Sequence, residues 1–570
     1  MEMAIRKLPD NLIKLIAAGE VIDSLVAVVR ELVENSLDAK ADRIFVSIYP
    51  ETWNLQVADN GEGITQEDLP LTIQPHATSK INNTNDLINI HTLGFRGEAL
   101  HSIAQLAQIN ISSRVTNDCG WEIMAENAQL QHIYPKPSAV GTIVRVNDLF
   151  GNMPVRRQVN PPFKQQLKKI QILLGEFALC HPHITWQLLV NERLIFSISR
   201  SNSADKILPQ LLKTIHYSDL KTIKKAIDTP YEKSISHLEL VLGLPDRISR
   251  PRPDWVKIGI NGRIIKCPEL ESAIYSSFHR TLERDRFPVA FLHLQTSPRQ
   301  IDWNRHPAKA EIFLDNIEFW QEQIKDTIAE IFKLTDNNIS QKWENKRVEN
   351  ILKLAENKSI YHLETPEIKE REKSPEENIG LIDLQVIAQA RNTYIVAEHS
   401  QGIWLIEQHI AHERIIYEQL QNQWEIVALE NPIILDKLLP KQIEQLNNIG
   451  LEIETFGEDL WALRAIPKIL LNRDDSLSAI MELSYGGDLN SAQVAIACRS
   501  AIRNGEKLTI KQMQNIVDNW KITKNPHTCP HGRPIYLSLE ESSLYRFFRR
   551  HWVLGKSHGI EEKRHKPPLP

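Results

Sequence analysis

The chain has little cysteine: Cys119, Cys180, Cys267, Cys498 and Cys529 are all it carries in 570 residues. Five is odd and the five are far apart, which argues against a disulfide framework. It has no uninterrupted apolar run of membrane length, and its first residues lack the apolar core of a secretory signal. The expectation is a cytoplasmic, nucleoid-associated chain with no membrane partner. Surplus positive charge is also lacking, since the formal net charge is −5. Contact with nucleic acid would have to use local patches, such as Arg156-Arg157 or Lys164 through Lys169, and should weaken steeply with salt. Taken alone, each patch reads as a solvated face before it reads as a nucleic-acid contact. No internal repeat is evident. No Gly-x-x-x-x-Gly-Lys-Ser/Thr loop is present either. Gly555-Lys556-Ser557 ends like one, but Arg550 stands where the leading glycine is needed.

What remains is an ordinary globular composition, 42% hydrophobic and 24% charged, in a chain long enough for three or four domains. Residues 1–215 read as mixed sheet and helices. Residues 216–335 hold strand-like Val256–Ile260, a turn at Asn261-Gly262, strand-like Arg263–Ile265, a helix from about Glu269 and a strand near Val289–Leu294. From 336 to 378 the composition turns polar and charged, as a linker does. Val348, Ile351, Leu352 and Ala355 allow one short amphipathic helix inside it. Residues 379–558 regain hydrophobic periodicity, and 559–570 read as a frayed tail.

Arg30–Ala39 reads as one helix with Val29, Leu32, Val33 and Leu37 toward a core. Glu31, Asn35 and Asp38 then line one face. Two carboxylates and a carboxamide in a stripe can position a water and a hard cation such as Mg²⁺. A solvated helix face looks the same. Next, Leu55–Ile64 is a short strand ending in Asp59, followed by Gly61 and Gly63. A carboxylate at a strand end can accept from the amino group of adenine, although Asp-Asn-Gly is also a common turn. His76-Ala77-Thr78-Ser79-Lys80 is small, hydroxylated and carries one cation. Leu93–Leu100 holds a turn, Gly94-Phe95-Arg96-Gly97, feeding a helix whose amides can hold phosphate. Gly141–Val146 is a strand with Thr142 near its start.

In this order the five segments resemble the ATP site shared by DNA gyrase B, Hsp90, histidine kinases and MutL. The runs Ile16-Ala-Ala-Gly-Glu-Val-Ile22, Glu31–Ala39, His76–Lys80 and Gly94–Leu100 are similar to the MutL family of DNA mismatch repair ATPases. The resemblance implies an α+β fold: an N-terminal GHKL-type ATPase sandwich, a ribosomal-S5-like subdomain, a linker, and a C-terminal α/β dimerisation and endonuclease domain. It implies ATP and Mg²⁺ as cofactors, with Glu31 as general base, Asn35 as Mg²⁺ ligand and Asp59 as the adenine contact. Thr78, Ser79, Lys80 and Gly94 to Gly97 become the lid over the phosphates. Asn304-Arg305-His306-Pro307-Ala308-Lys309 is similar to a family loop whose lysine reaches the terminal phosphate; as a lone lysine, Lys309 is a surface residue. The chain departs from the family at Ser24-Leu25 (usually Arg-Pro), at Lys40 (usually Gly) and at Met153 in Leu149–Pro154 (usually Thr).

A second chemical pattern lies in Glu407–Glu418. If it is helical, His409 and Glu413 sit one turn apart, as metal ligands do and as surface ion pairs do. Cys498 and the pair Cys529-Pro530-His531 offer further ligands, whereas a buried cysteine alone is usually a small hydrophobe. These segments resemble the endonuclease domain of nicking MutL proteins, whose first motif runs Asp-Gln-His-Ala-x-x-Glu-x-x-x-x-Glu. Gln408, His409, Glu413 and Glu418 match it, while Glu407 replaces Asp and Ile410 replaces Ala. Phe548-Arg549-Arg550 is similar to a Phe-Lys-Arg segment beside that site. The resemblance implies Zn²⁺ or Mn²⁺ there, with Glu407 and Glu413 catalytic. It also implies a homodimer that meets double-stranded DNA, the mismatch-recognition protein MutS and a sliding clamp. The nearest clamp-binding match, Val427–Pro432, keeps Leu429 and Pro432 without the leading Gln, and an edge strand would look the same. Two other readings stay open: a non-cleaving ATPase matchmaker with structural zinc, and a gyrase-like or Hsp90-like ATPase of another pathway.

Overall fold

The computed structural model describes residues 9–334 apart from 82, 84, 85, 87, 88, 95, 96, 230–233 and 303–311, and residues 381–544 apart from 458, 472, 542 and 543. Two compact units result, Met1–Ile331 and Phe332–Pro570.

In the first unit α1 (Asp10–Val21) leads into α2 (Leu25–Asp38). A serine ahead of branched apolar residues starts α2: Ser24 Oγ accepts from the Ala27 amide at 3.3 Å. Leu25 takes the first helical position, buried, and its amide donates to Gln166 Oε1 at 3.3 Å. A proline there could not make that bond. The helix buries Val28, Val29, Leu32 and Val33. It ends at Ala39, and Lys40 follows with φ 58°, the left-handed conformation a glycine prefers. The family's usual glycine at Lys40 thus has a conformational reason. Lys40 instead pairs with Glu62 at 2.7 Å on the surface.

α2 packs on an eight-stranded sheet built from β1 (Arg43–Tyr49), β2 (Asn54–Asp59), β3 (Gln108–Arg114), β4 (Trp121–Glu126), β5 (Gln129–Pro135), β6 (Gly141–Asn147), β7 (Thr185–Val190) and β8 (Arg193–Ile198). The order is β5-β4-β3-β6-β2-β1-β7-β8, and β1 with β7 is the parallel pair. Alternation sets the layers. Ile44, Val46, Ile48, Leu55, Val57, Ile109, Ile111 and Val146 are buried against the helices, while Arg43 and Phe45 face out. α3 (Ala99–Leu106), α4 (Pro154–Val159), α5 (Phe163–Cys180) and α6 (Ala204–Leu211) complete this part, with α5 packing along α2 and α6 on α5.

A second sheet in the same unit has the order 263–265, 256–260, 290–295, 235–243, 220–228. Asn261 and Gly262 are both left-handed, φ 46° and 86°, which closes the expected hairpin as a primed turn. The expected helix is Pro268–Ser277 and the expected strand Ala290–Gln295.

The second unit holds a four-stranded antiparallel sheet, Gln385–Ala390, Tyr394–His399, Gly402–Glu407 and Tyr536–Glu540. Its three-stranded sheet joins Ile426–Asp436, Leu460–Pro467 and Ile453–Gly457. Helix Gln408–Asn422 packs against both Leu489–Ser500 and Ile510–Lys521. The stretch 336–378 with its expected short helix, the loop bearing Lys309, Phe95-Arg96, Phe548–Arg550 and the tail lie outside the described residues. Among the described residues no helix is long and apolar enough to cross a membrane.

Candidate functional site

The first unit contains a cavity of about 750 Å³ between α2 and the sheet, within the usual range for a small-molecule site. Glu31, Asn35 and Asp38 line it from α2, so the predicted stripe faces a cavity rather than solvent. Asp59, Gly63, Thr78, Ser79, Lys80, Gly94, Gly97 and Thr142 line it too, with Leu32, Val57, Leu71, Ile111 and Val144 as apolar wall. Five segments far apart in sequence therefore meet at one place.

Asp59 sits at the end of β2. Its Oδ1 accepts from the Gly61 amide at 2.9 Å and the Thr142 amide at 3.3 Å. Its Oδ2 accepts from Ser36 Oγ at 2.8 Å. Burial raises its pKa against the pull of these bonds. Thr142 thus acts through its backbone amide, while its hydroxyl meets Ser113 Oγ at 2.8 Å. Ser36 was not foreseen as a site residue. Its position four residues after Leu32 on the wall-lining face of α2 is the signal that could have found it.

The turn at Leu93-Gly94 is tied to α2 by Asp38. Its Oδ1 accepts from the Leu93 amide at 2.8 Å and its Oδ2 from the Gly94 amide at 3.0 Å. Lys80 Nζ lies 2.5 Å from Asp38 Oδ2 and donates to Asn35 Oδ1 at 2.9 Å. An ammonium thus rests against the side-chain oxygens of Asn35 and Asp38, a donor set that accommodates a cation. Gly97 has φ 64°, and a Cβ on it would lie 2.6 Å from the Ala77 carbonyl oxygen. Gly63 is equally restricted: φ is 80°, and a Cβ would lie 2.2 Å from the Arg114 carbonyl oxygen. These two glycines are steric requirements of the turns. Glu31 lines the cavity with no bonded partner among the described residues.

The second unit gathers the predicted metal ligands. His409, Glu413 and Cys498 form one group and Glu413, Cys529 and His531 another, each with ligand atoms within 4.8 Å of one another. Glu413 is shared and fully buried. Its Oε2 accepts from Arg533 Nη2 at 3.0 Å. Its Oε1 pairs with His531 Nδ1 at 2.7 Å. His409 Nδ1 is 2.9 Å from the Ile502 carbonyl. A carbonyl only accepts, so Nδ1 carries the proton and Nε2, 3.9 Å from Cys498 Sγ, keeps its lone pair for a metal. The Cys529 pKa is lowered: burial pushes it up, but bonds from His531 and Arg533 outweigh that. The bond to Cys529, with that to Glu413, raises His531 to about 9. Cysteine sulfur, imidazole nitrogen and a buried carboxylate are the donor types that fit a zinc or manganese ion.

Other expected residues take different roles. Glu407 is the N-cap of helix Gln408–Asn422: its side chain accepts from the Ile410 amide at 2.5 Å and from Asn504 Nδ2. Its oxygens are not among those of the two ligand groups. Glu418 faces elsewhere, accepting from the amides of Lys524 at 2.7 Å and Asn525 at 3.1 Å. Arg156 and Arg157 do not make a free basic patch. Arg156 Nη2 donates to the Gly19 carbonyl at 2.5 Å, and Arg157 to the Leu149 carbonyl and Asp148. Lys164, Lys168 and Lys169 are exposed on α5. Val427–Pro432 falls where the ladder of strand Ile426–Asp436 breaks register between Ala428 and Ile433. Arg533 was missed, although it closes the same Cys529–Arg533 run.

A protein of Rippkaea orientalis named DNA mismatch repair protein MutL is 55% identical over 566 residues, 98% of this chain and 100% of that one. The chain belongs to the MutL family. A MutL of Microcystis aeruginosa is also 55% identical, over 98% of this chain and all of that protein. A more distant MutL, of Desulforamulus reducens, is 28% identical over 94% of this chain and 98% of its own. Residues 20–117 match the family described as histidine kinase-, DNA gyrase B- and HSP90-like ATPase. Residues 215–333 match the DNA mismatch repair protein, C-terminal domain, and 387–508 the MutL C terminal dimerisation domain. This MutL-family chain therefore has a GHKL-type, ATP-binding ATPase domain and a C-terminal dimerisation domain. Among solved structures, the N terminal domain of a DNA repair protein aligns with a TM-score of 0.48 at 24% identity, over 56% of this chain and 97% of that one.

Proposed function

We propose that this chain is an ATP-gated homodimer that couples mismatch recognition to nicking of one DNA strand at its C-terminal metal site. The observation that carries the reading is the meeting of His409, Glu413, Cys498, Cys529 and His531 around one buried carboxylate. In the first unit, Asp59 accepts the adenine amino group, as its placement at the cavity wall supports. Glu31 takes the proton of the attacking water. Asn35, with Asp38 beside it, holds Mg²⁺, which when bound neutralises charge developing on the phosphates. Gly61 and Gly63 turn the chain away beneath the base. Thr78 to Lys80 and Gly94 to Gly97, including Phe95 and Arg96, enclose the triphosphate, and Lys309 reaches the terminal phosphate. At the second site, His409, Glu413, Cys498, Cys529 and His531 hold Zn²⁺ or Mn²⁺, which when bound polarises a phosphodiester and supplies hydroxide. The partners are double-stranded DNA, met by lysines such as Lys164, Lys168 and Lys169, and MutS. The degenerate Val427–Pro432 segment is the clamp contact. The division at 1–215, 216–335, 336–378 and 379–558 belongs to the same reading.

One observation favours a second reading, a non-cleaving matchmaker with structural zinc: the Glu407 carboxylate is engaged as a helix cap. Conversion of supercoiled plasmid to open circle in Mn²⁺ separates the two. We expect nicking by the chain and none by Glu413→Ala. No nicking by either, with clamp-loaded DNA as well, rejects the endonuclease.

A further inference from the structure

The hairpin turn Asn261–Arg263 of the second sheet is held unusually firmly against the nucleotide-binding part of the same unit. Gly262 is gripped on both sides. Its carbonyl accepts from His181 Nε2 at 2.9 Å, and its amide donates to His293 Nε2 at 3.2 Å. Burial holds both rings neutral, with pKa values near 4, so one ring can donate while the other accepts. The clamp delivers Arg263 into a buried position, 6% exposed. There its Nη2 lies 2.6 Å from Glu34 Oε2 and donates to the Leu93 carbonyl at 2.9 Å.

Glu34 is itself buried, on α2, next to Asn35 and one turn before Asp38, so it flanks the cavity stripe. Leu93 is the residue before Gly94, where the lid turn begins. Its two backbone groups are held from two directions. Asp38 takes the amide from α2, and Arg263 takes the carbonyl from the second sheet. A second tie runs the same way, from Arg299 Nε to Asn89 Oδ1 at 3.0 Å. The lid's first residue thus cannot shift without disturbing the Arg263–Glu34 pair, and that pair cannot shift without the second sheet.

We propose that Arg263 is a positioning residue for the triphosphate lid, fixing Leu93-Gly94 from the second sheet so that lid placement follows that sheet's position. It touches no nucleotide atom; it acts through Leu93. The proposal rests on the ATPase reading of the cavity. It requires a specific signature. The adenine end, built on Asp59, Ser36 and Thr142, owes nothing to Arg263, whereas the phosphate end does. Removing Arg263 therefore weakens ATP and spares adenosine.

The test is equilibrium binding of ATP and of adenosine to the full chain, wild type against Arg263→Gln and Arg263→Lys. We expect ATP affinity to fall about tenfold in Arg263→Gln, the worth of a charge-assisted hydrogen bond, with adenosine affinity held within about twofold. Arg263→Lys keeps the charge without the fork and recovers part of the loss. Equal losses for both ligands, or none for either, overturn the proposal. Should Arg263→Gln fail to fold, Glu34→Gln keeps volume and hydrogen bonding, and must show the same split at smaller size. Wild-type chain that binds no ATP overturns the ATPase reading and this proposal with it. Wild-type binding without the split overturns this proposal alone.

Discussion

Asp59→Asn is the substitution whose effect the structure fixes most closely. The amide has the carboxylate's shape. Its oxygen can still accept from the Gly61 and Thr142 amides, and its nitrogen can donate to Ser36 Oγ, which accepts as well as donates. The fold should therefore survive, and removing a buried charge that costs desolvation should leave the first thermal transition unchanged or slightly higher. Binding is different. The side-chain oxygen that would face the adenine amino group becomes a donor, so two donors meet. Losing a hydrogen bond to a charged acceptor costs about 1.5–3 kcal/mol, or roughly 10- to 150-fold in ATP affinity. Calorimetric titration with ATP measures this directly. Affinity within about threefold of wild type would refute the adenine contact, and so would a loss accompanied by a lowered first transition. The pH dependence carries a definite sign. Burial raises the Asp59 pKa above its unfolded value, so the folded state favours the protonated form. Its contribution to stability is greatest below the unfolded pKa and is lost as pH rises through the folded one. Nucleotide binding needs the carboxylate, so ATP affinity should weaken as pH falls through that raised value, and an affinity that rises on acidification would contradict the assignment.

Three further substitutions follow from local structure. Ser24→Ala removes the N-cap of α2 and should destabilise the first unit by about 1 kcal/mol, read as a lower first transition by calorimetry; no shift would mean the cap is dispensable. Lys40→Gly relieves a left-handed residue at the end of α2 and should stabilise by about 0.5–1 kcal/mol, despite losing an exposed ion pair; a lower transition would reject the strain argument. Glu407→Ala should destabilise the second unit by about 1 kcal/mol through loss of its cap, while Mn²⁺ uptake by equilibrium dialysis stays within about twofold. A large loss of uptake would show that Glu407 is a ligand.

What was legible in the sequence was local. The stripe Glu31, Asn35, Asp38 follows from helical spacing alone, and Asp59 with its glycines from a strand meeting a turn. The Asn261-Gly262 hairpin could be read because only certain residues accept two left-handed positions. Roles set by distant contacts were not legible. Glu407 became a cap partly because Asn504 meets it from 97 residues away. Arg156 and Arg157 lost their patch to carbonyls at Gly19 and Leu149. Arg263 gave no signal at all, since nothing near it in the chain announces Glu34 or Leu93.

The proposed chemistry at the cavity beside α2 is ATP hydrolysis with Glu31 as the base. The direct measurement is ATP binding and steady-state turnover for Glu31→Ala beside the wild type. We expect binding within about threefold of wild type and turnover reduced about 10²- to 10⁴-fold, the usual contribution of a general base. Turnover that persists in the variant at the wild-type rate would contradict it.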